Sequence, residues 1–564
     1  MMLLSRGRGI FFSLIITVGT VGLFVPYAYS ASLTELIRER IRTRIEEAGP
    51  TRQMTIGDQI ICASETLPVF YERRGYEPAW INGNGISSQA DSLMSMLQDA
   101  EKEGLRAIDY HFAEIERLVD KRKKFPIKKL AMNAALSTDA ELLLTDAFLI
   151  YGAHLLAGKV NPETFDPEWH ARRKVADLAE KLEDALTSGS IEKTLHSFLP
   201  QQPGYEALKE ALARYKDLVL KKGWDRIPDG SKLQIGDQNE RVALVRKRLS
   251  TSDRTDTVRS DEENLFDEAL EQAVRQFQEL HGLKTDGVIG SATLSALNVP
   301  LEDRIRQIEL NLERWRWLPQ DLGTRYLLVN IPQFALTVME KSEPVMRMKV
   351  IVGKKYRRTP VFSDRMTYLV LSPFWNVPPH IAVVDKLPII QKDPEYLTRE
   401  HFRVFQGWGA EAQEIDPVTI DWSQLTPDNF PYRLRQDPGP GNALGPAKFM
   451  FPNKFNVYLH GTSSPELFKQ NVRTLSSGCI RIEKPIDLAL YLFQDDPDWT
   501  LQKILEVIEN HEEQTVQLTN PIVVHLQYWT AWVDDSKQVN FREDIYGRDK
   551  LLSAALSKKP PAGS

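Results

Sequence analysis

Cysteine is nearly absent from this chain: 564 residues carry two, Cys62 and Cys479. Two thiols cannot build a disulfide framework. A Cys62–Cys479 bridge would consume the thiol that sits in a motif, so both are read as free. An excess of positive charge is also missing. The 71 Lys and Arg against 77 Asp and Glu give a net charge of −6, which offers no attraction to nucleic acid or to an anionic membrane. The ten histidines are scattered, and none has metal-ligand spacing with Cys or acidic partners, so no metal and no cofactor is expected. After residue 25 no second long apolar run appears, so no second membrane span is expected. What remains, 42% hydrophobic and 26% charged residues, is the composition of folded soluble domains, and the length asks for two to four of them.

The first 30 residues stand apart. Arg6 and Arg8 precede an apolar run from Ile10 to Val25, and small residues Ala28 and Ser30 follow. This pattern is that of a secretory signal cut near Ser30/Ala31; left uncut, it would be an anchor. Either way the bulk of the chain is expected outside the cytoplasm. Residues 32–228 read as a helical scaffold, with apolar residues three and four apart in Ala131 to Leu156 and Tyr205 to Leu220. Cys62 lies on an apolar face there and reads as a buried, inert thiol.

Residues 231–298 have a different texture. Leu233-Gln234-Ile235-Gly236-Asp237 opens the segment, and Leu270, Val274 and Phe277 fall on one helical face. A close of Gly282-Leu283, Asp286-Gly287-Val288-Ile289-Gly290, Thr293 and Leu297 follows. The segment resembles the small three-helix peptidoglycan-binding module, which implies glycan strands as a partner. From Tyr326 onward strands dominate. Tyr326–Ile331, Ala335–Met339, Met346–Gly353 and Met366–Leu371 read as strands. Phe455 to His460 reads as the strand that delivers a histidine. Pro373 to Gly445 reads as irregular, a lid or binding insertion. Pro485–Phe493 and Tyr546–Leu556 read as helices, and 557–564 as a tail.

The chemistry concentrates in His460-Gly461-Thr462 and, nineteen residues after the histidine, Ser477-Gly478-Cys479-Ile480-Arg481. A thiol needs a neighbouring base to become a nucleophile, and histidine can take its proton and return it to a leaving amine. Gly478 permits a tight turn, and the amides of Gly478 and Cys479 are candidates to face an oxyanion. Arg481 either raises the thiolate population or binds a substrate carboxylate. Taken alone, a Cys and a His at this spacing fit a structural pair as readily as a catalytic one.

The segment resembles the signature of the L,D-transpeptidase (YkuD-type) catalytic domain. Phe374-Trp375-Asn376-Val377-Pro378, Lys448-Phe449-Met450-Phe451-Pro452-Asn453, Val457-Tyr458-Leu459-His460 and Tyr528-Trp529-Thr530-Ala531-Trp532 are similar to the large Gram-negative, YcbB/LdtD-like branch of that family. The resemblance implies an α+β multidomain protein: a mostly-β catalytic domain at 325–508 with a lid insertion at 373–435, the binding module, the helical scaffold, and a C-terminal segment at 511–556 packing on scaffold and catalytic domain. It implies a periplasmic cell-wall enzyme whose Cys479 attacks the diaminopimelate carbonyl of a tetrapeptide stem, expels D-alanine and passes the acyl group to a diaminopimelate amine, a 3→3 cross-link. His460 would be the base and acid, and the Gly461 carbonyl would orient its ring. Gly478, Ser477, Arg481, Tyr458 and Trp375 would line the substrate cleft, and carbapenem β-lactams would acylate Cys479. The chain departs from that pattern at Gly461, where relatives usually carry Asp, at Ser477, where many carry His, and at Pro446-Ala447. Water or a lipoprotein lysine as acceptor, and a non-enzymatic wall-binding scaffold, are the competing readings.

Overall fold

The computed structural model describes residues 32–49, 53–82, 85–123, 130–221, 223–252, 262–407 and 409–561. The N-terminal apolar run with its expected cleavage site lies outside the described residues, as do residues 253–261 of the polar stretch from Ser250 to Glu263.

The N-terminal unit is helical and wraps α1 (Leu130–Ala157). That helix is apolar on every side, so it is buried rather than amphipathic; its span Met132–Ala157 is 89% buried. The three acids within it are not left bare: Asp139 meets Arg44 at 3.1 Å. Glu141 accepts the backbone N–H groups of Trp80 and Ile81 at 3.0 and 2.9 Å, and Asp146 accepts those of Cys62 and Ala63 at 3.0 and 2.7 Å. Cys62 is 5% exposed, and burial pushes its thiol up to about 12. Next, helices Glu240–Ser252, Glu268–Leu280 and Ser291–Leu297 enclose a separate small core including Val242, Leu270, Val274, Phe277 and Leu297. The long helix α2 (Leu301–Arg316) ties this unit to the rest, its end anchored where buried Arg316 donates to the Tyr205 hydroxyl of the helical unit at 2.9 Å.

The sheet that follows comprises β1 (Arg325–Asn330), β2 (Ala335–Glu340), β3 (Glu343–Gly353), β4 (Phe362–Leu371), β5 (Ala447–Met450), β6 (Leu459–His460), β7 (Thr474–Ser476), β8 (Ile480–Ile482) and β9 (Gln514–Gln527). The order is β7-β3-β8-β6-β5-β4-β9-β1-β2, and β2 also pairs with β3, so the sheet closes on itself. Closure removes the free edges that an open sheet must protect. The hairpin β1–β2 falls where the sequence places it, joined at Pro332-Gln333. Leu327, Val329, Val350, Leu369, Phe449, Leu459 and Ile480 fill the interior without exposure.

Three expectations need correction. The segment Phe455–His460 is not one strand: only Leu459 and His460 pair. Asn453 holds the preceding residues as a loop, its Oδ1 accepting Phe455 N–H at 3.0 Å and its Nδ2 donating to Val457 O at 2.7 Å. The segment 373–445 is not irregular. It holds a four-stranded sheet, ordered Gln413–Ile415, Phe402–Gln406, Tyr432–Gln436, Trp375–Asn376, and a core of its own around Trp422, Leu387, Ile390 and Leu434. Nor does the catalytic unit end at 508. Strand β9, from the expected C-terminal segment, lies inside the sheet between β4 and β1, and without it the ring would open. The part after β9 packs on both units: the hairpin Ala531–Val533 with Val539–Phe541 joins the helical core, and the helix Arg548–Leu556 puts Leu552 and Leu556 into the core of the sheet.

Candidate active site

Period-two alternation assembles the site. Along β5, β6 and β8, Phe449, Leu459, Ile480 and Ile482 point into the core, so Lys448, His460 and Arg481 emerge on the opposite face. The register sets these three in one row: Lys448 pairs with His460, and His460 with Arg481. Cys479, two residues before Arg481, leaves from the same face. Ile480 N–H donates to the Tyr458 carbonyl at 3.1 Å, which sets Tyr458 beside the cysteine. With strands ~4.8 Å apart and two residues of rise between them, His460 and Cys479 are diagonal neighbours about 8 Å apart at the backbone.

The cysteine turn is braced from below. Gly478 has φ 121, a conformation closed to side chains. Its carbonyl accepts from the Thr359 hydroxyl at 2.8 Å, which in turn accepts Gly353 N–H at 2.9 Å. The Tyr546 hydroxyl donates to the Gly353 carbonyl at 2.6 Å and accepts Thr359 N–H at 3.3 Å. Buried Arg548 extends the brace to the helical unit through Asp166 at 2.5 Å. Thr359, Tyr546 and Arg548 are functional supports that the sequence reading passed over. The Gly478 amide, a candidate to face an oxyanion, donates instead to Ser476 Oγ at 3.2 Å. Of the two candidate amides, that leaves the one of Cys479.

His460 is 6% exposed. Burial, then the charge of Arg481, push its imidazole down to about 3, against the pull of the Gly461 and Leu444 carbonyls, which favour the proton. Those carbonyls bear on the ring, although Nδ1 completes no hydrogen bond. The imidazole is therefore neutral at pH 7. Burial also raises the Cys479 thiol, and the Tyr458 amide and hydroxyl, then Lys448 and Arg481, oppose that without prevailing. The sulfur lies 3.7 Å from the Asn456 carbonyl, as an S–H donor would. The resting pair is thiol and neutral imidazole, so the proton moves when substrate arrives. Among the described residues neither Lys448 nor Arg481 has an acidic partner within ion-pair distance. Lys448 was quoted in the sequence only as part of a phrase; the register makes it a site residue.

Gly461 is fixed by packing. A Cβ there would lie 2.8 Å from Pro446 Cδ, 3.1 Å from the Leu444 carbonyl oxygen and 3.2 Å from Gly445 Cα. The two departures, Gly461 and Pro446, are thus one feature: the proline ring fills the space a side chain at 461 would need. Ser477 is exposed, and its hydroxyl accepts from Arg357 Nη1 at 2.9 Å. Arg357 also holds Asp385 of the insertion, with Nη2 3.1 Å from Oδ1, so the insertion is tied to the cysteine turn. Trp375 belongs to the insertion's core at 8% exposure, with Phe402 6.0 Å away and Lys386 over its ring. Little of that ring is left for a ligand, so packing replaces the expected place in the cleft lining.

Comparison with known proteins bears on each unit. Residues 324–500 match the family model described as the L,D-transpeptidase catalytic domain, residues 238–297 the "Putative peptidoglycan binding domain", and residues 65–212 the "Scaffold domain". The chain is similar to the "Putative L,D-transpeptidase" of Haemophilus influenzae, 34% identical over 250 residues, 44% of this chain and 49% of that protein. It is also similar to N-acetylmuramoyl-L-alanine amidase CwlM of Mycobacterium tuberculosis, 39% identical over 79 residues, 13% of this chain and 20% of that one. The chain spans about half the length, or less, of these curated relatives. A solved L,D-transpeptidase from Stackebrandtia nassauensis is 12% identical, covering 54% of this chain and 96% of that one, with a TM-score of 0.20.

Proposed function

We propose that this chain, which carries an L,D-transpeptidase catalytic domain beside a peptidoglycan-binding domain and is homologous to L,D-transpeptidases, forms 3→3 cross-links in the periplasm as a YcbB-like enzyme. The observation that carries the reading is the register that sets His460 beside the strand leaving Cys479, with Lys448 and Arg481 in the same row and without ion-pair partners among the described residues. In the first half-reaction the neutral imidazole takes the thiol proton as Sγ attacks the diaminopimelate carbonyl of a tetrapeptide stem. The Cys479 amide faces the developing oxyanion. Collapse breaks the peptide bond, the imidazolium gives its proton to the departing D-alanine amine, and a thioester remains. In the second half-reaction the side-chain amine of a diaminopimelate on another stem attacks the thioester. His460 takes the amine proton and returns it to sulfur. A carbapenem enters the same first step and stays as an acyl adduct on Cys479. The binding domain keeps the enzyme on glycan strands.

Muropeptide analysis tests the acceptor. Sacculi rich in tetrapeptide stems, incubated with the ectodomain and digested to disaccharide units, are expected to gain dimers joined between two diaminopimelates. Tripeptide monomers without new dimers would make water the acceptor and overturn the cross-linking assignment.

A further inference from the structure

We infer that Lys448 reads the free carboxylate that follows the scissile bond, making the enzyme selective for stems that end in a free acid one residue beyond the attacked carbonyl. The inference deepens the proposed function and rests on it. Lys448 leaves β5 opposite His460, and its side chain crosses toward the cysteine until Nζ stands 4.1 Å from the centre of the Tyr458 ring. Tyr458 presents its hydroxyl, at the edge of that ring, to the thiol. The ammonium therefore sits about one aromatic ring from the sulfur.

That separation suits a peptide. A backbone advances at most ~3.3–3.6 Å per residue. With sulfur bonded to the attacked carbonyl carbon, the carboxylate of the next residue lies one such step onward, in reach of a cation one ring away. The charge balance points the same way. The charged and titratable groups that bear on the ammonium are Cys479, Glu513 and the imidazole of His460. Glu513 is engaged with Phe374 N–H at 2.7 Å and makes no ion pair with Lys448. Holding a half-buried cation without an anion is unfavourable in the free protein, and an incoming carboxylate removes that penalty. Arg481 stands in the same row on the other side of His460.

A carboxylate here would do more than anchor the peptide. Both cations depress the basicity of His460. Neutralising Lys448 relieves part of that depression when the stem is bound, so the base strengthens as it is needed. A stem ending in a carboxamide would bring the same scissile bond without the charge.

The experiment compares disaccharide-tetrapeptide with its C-terminal carboxamide, reading the initial release of D-alanine or D-alanine amide by the full ectodomain. A hydrogen bond to a charged group predicts that wild type favours the acid by roughly ten- to a hundredfold. Lys448→Gln is expected to lose most of that preference, read as the acid-to-amide ratio, because its effects on Cys479 and His460 fall on both substrates alike while only the acid meets the ammonium. Lys448→Arg, which keeps the charge and controls for folding, is expected to retain the preference. The rival role is thiolate support. If Lys448→Gln slows both substrates equally and moves the pH profile of Cys479 alkylation by iodoacetamide upward, the carboxylate assignment is overturned. An unchanged acid-to-amide ratio in Lys448→Gln overturns it as well. If wild type releases neither product, the failure belongs to the proposed function instead.

Discussion

Gly461→Ala probes the coupling between the two departures at the site. The added methyl would start 2.8 Å from Pro446 Cδ, whereas carbon atoms settle at ~3.5–4.0 Å. Roughly 1 Å of movement is therefore demanded of the segment bearing the Leu444 and Gly461 carbonyls, the two that bear on His460. Overpacking of this kind destabilises by ~1–3 kcal/mol, and a 1 Å misplacement of a reacting group slows chemistry by about a hundredfold. Gly461→Ala is expected to show both effects, read by denaturant unfolding and by the rate of carbapenem acylation in intact-protein mass spectra. Pro446→Ala removes the Cδ and by itself is expected to acylate near the wild-type rate. In the double variant the methyl meets only the Leu444 oxygen and Gly445 Cα, at 3.1 and 3.2 Å, contacts that relax by a few tenths of an ångström. The double variant is expected to recover most of the rate, with a coupling energy above ~1 kcal/mol. Full activity in Gly461→Ala, or no rescue by Pro446→Ala, would refute the claim that the proline ring dictates the glycine.

Buried His154, His281, His460 and His525 are all held below their ordinary value, chiefly by burial. Above pH 6.5 both folded and unfolded chains keep them neutral; below it only the unfolded chain gains protons. Stability is thus full above pH 6.5 and is lost as pH falls, by up to ~1.4 kcal/mol per pH unit for each histidine, continuing for His460 toward about pH 3; urea midpoints that stay constant from pH 7 to 5 would contradict this. Asp385→Ala frees Arg357 from the insertion and is expected to speed proteolysis within residues 379–399 and to slow tetrapeptide turnover by about fivefold, the scale of a partly exposed ion pair. Unchanged proteolysis would mean the insertion is held elsewhere. Deleting residues 233–297, a unit with its own core, is expected to weaken sacculus binding more than acylation by a small β-lactam, and equal losses would make the module structural.

What was legible in the sequence is what short-range pattern encodes. The alternation of Phe449, Leu459 and Ile480 with Lys448, His460 and Arg481 is written along the chain, as are the β1–β2 hairpin and the helix of α1, whose three- and four-residue spacing did not reveal that all its sides are buried. The insertion was not legible because its core joins Trp375, Phe402, Trp422 and Leu434 from four short segments, none long enough to show a period. The mostly polar first half of β9 (Gln514–Gln517) concealed a strand whose hydrogen bonds run to β4. Thr359, Tyr546 and Arg548 act on Gly478 through contacts 119 to 193 residues apart in sequence, which no local window contains. Lys448 was visible as a letter, but its meaning came from register, which alone sets it opposite His460.

The central claim is that Cys479 carries the acyl group. The most direct measurement is intact-protein mass spectrometry of the ectodomain, wild type and Cys479→Ala, after incubation with a carbapenem and separately with disaccharide-tetrapeptide. The account predicts one β-lactam adduct and tetrapeptide-derived dimer with wild type, and neither with a folded Cys479→Ala protein. Adduct or dimer from Cys479→Ala, or a wild-type protein that takes up no β-lactam and releases no D-alanine, would contradict it.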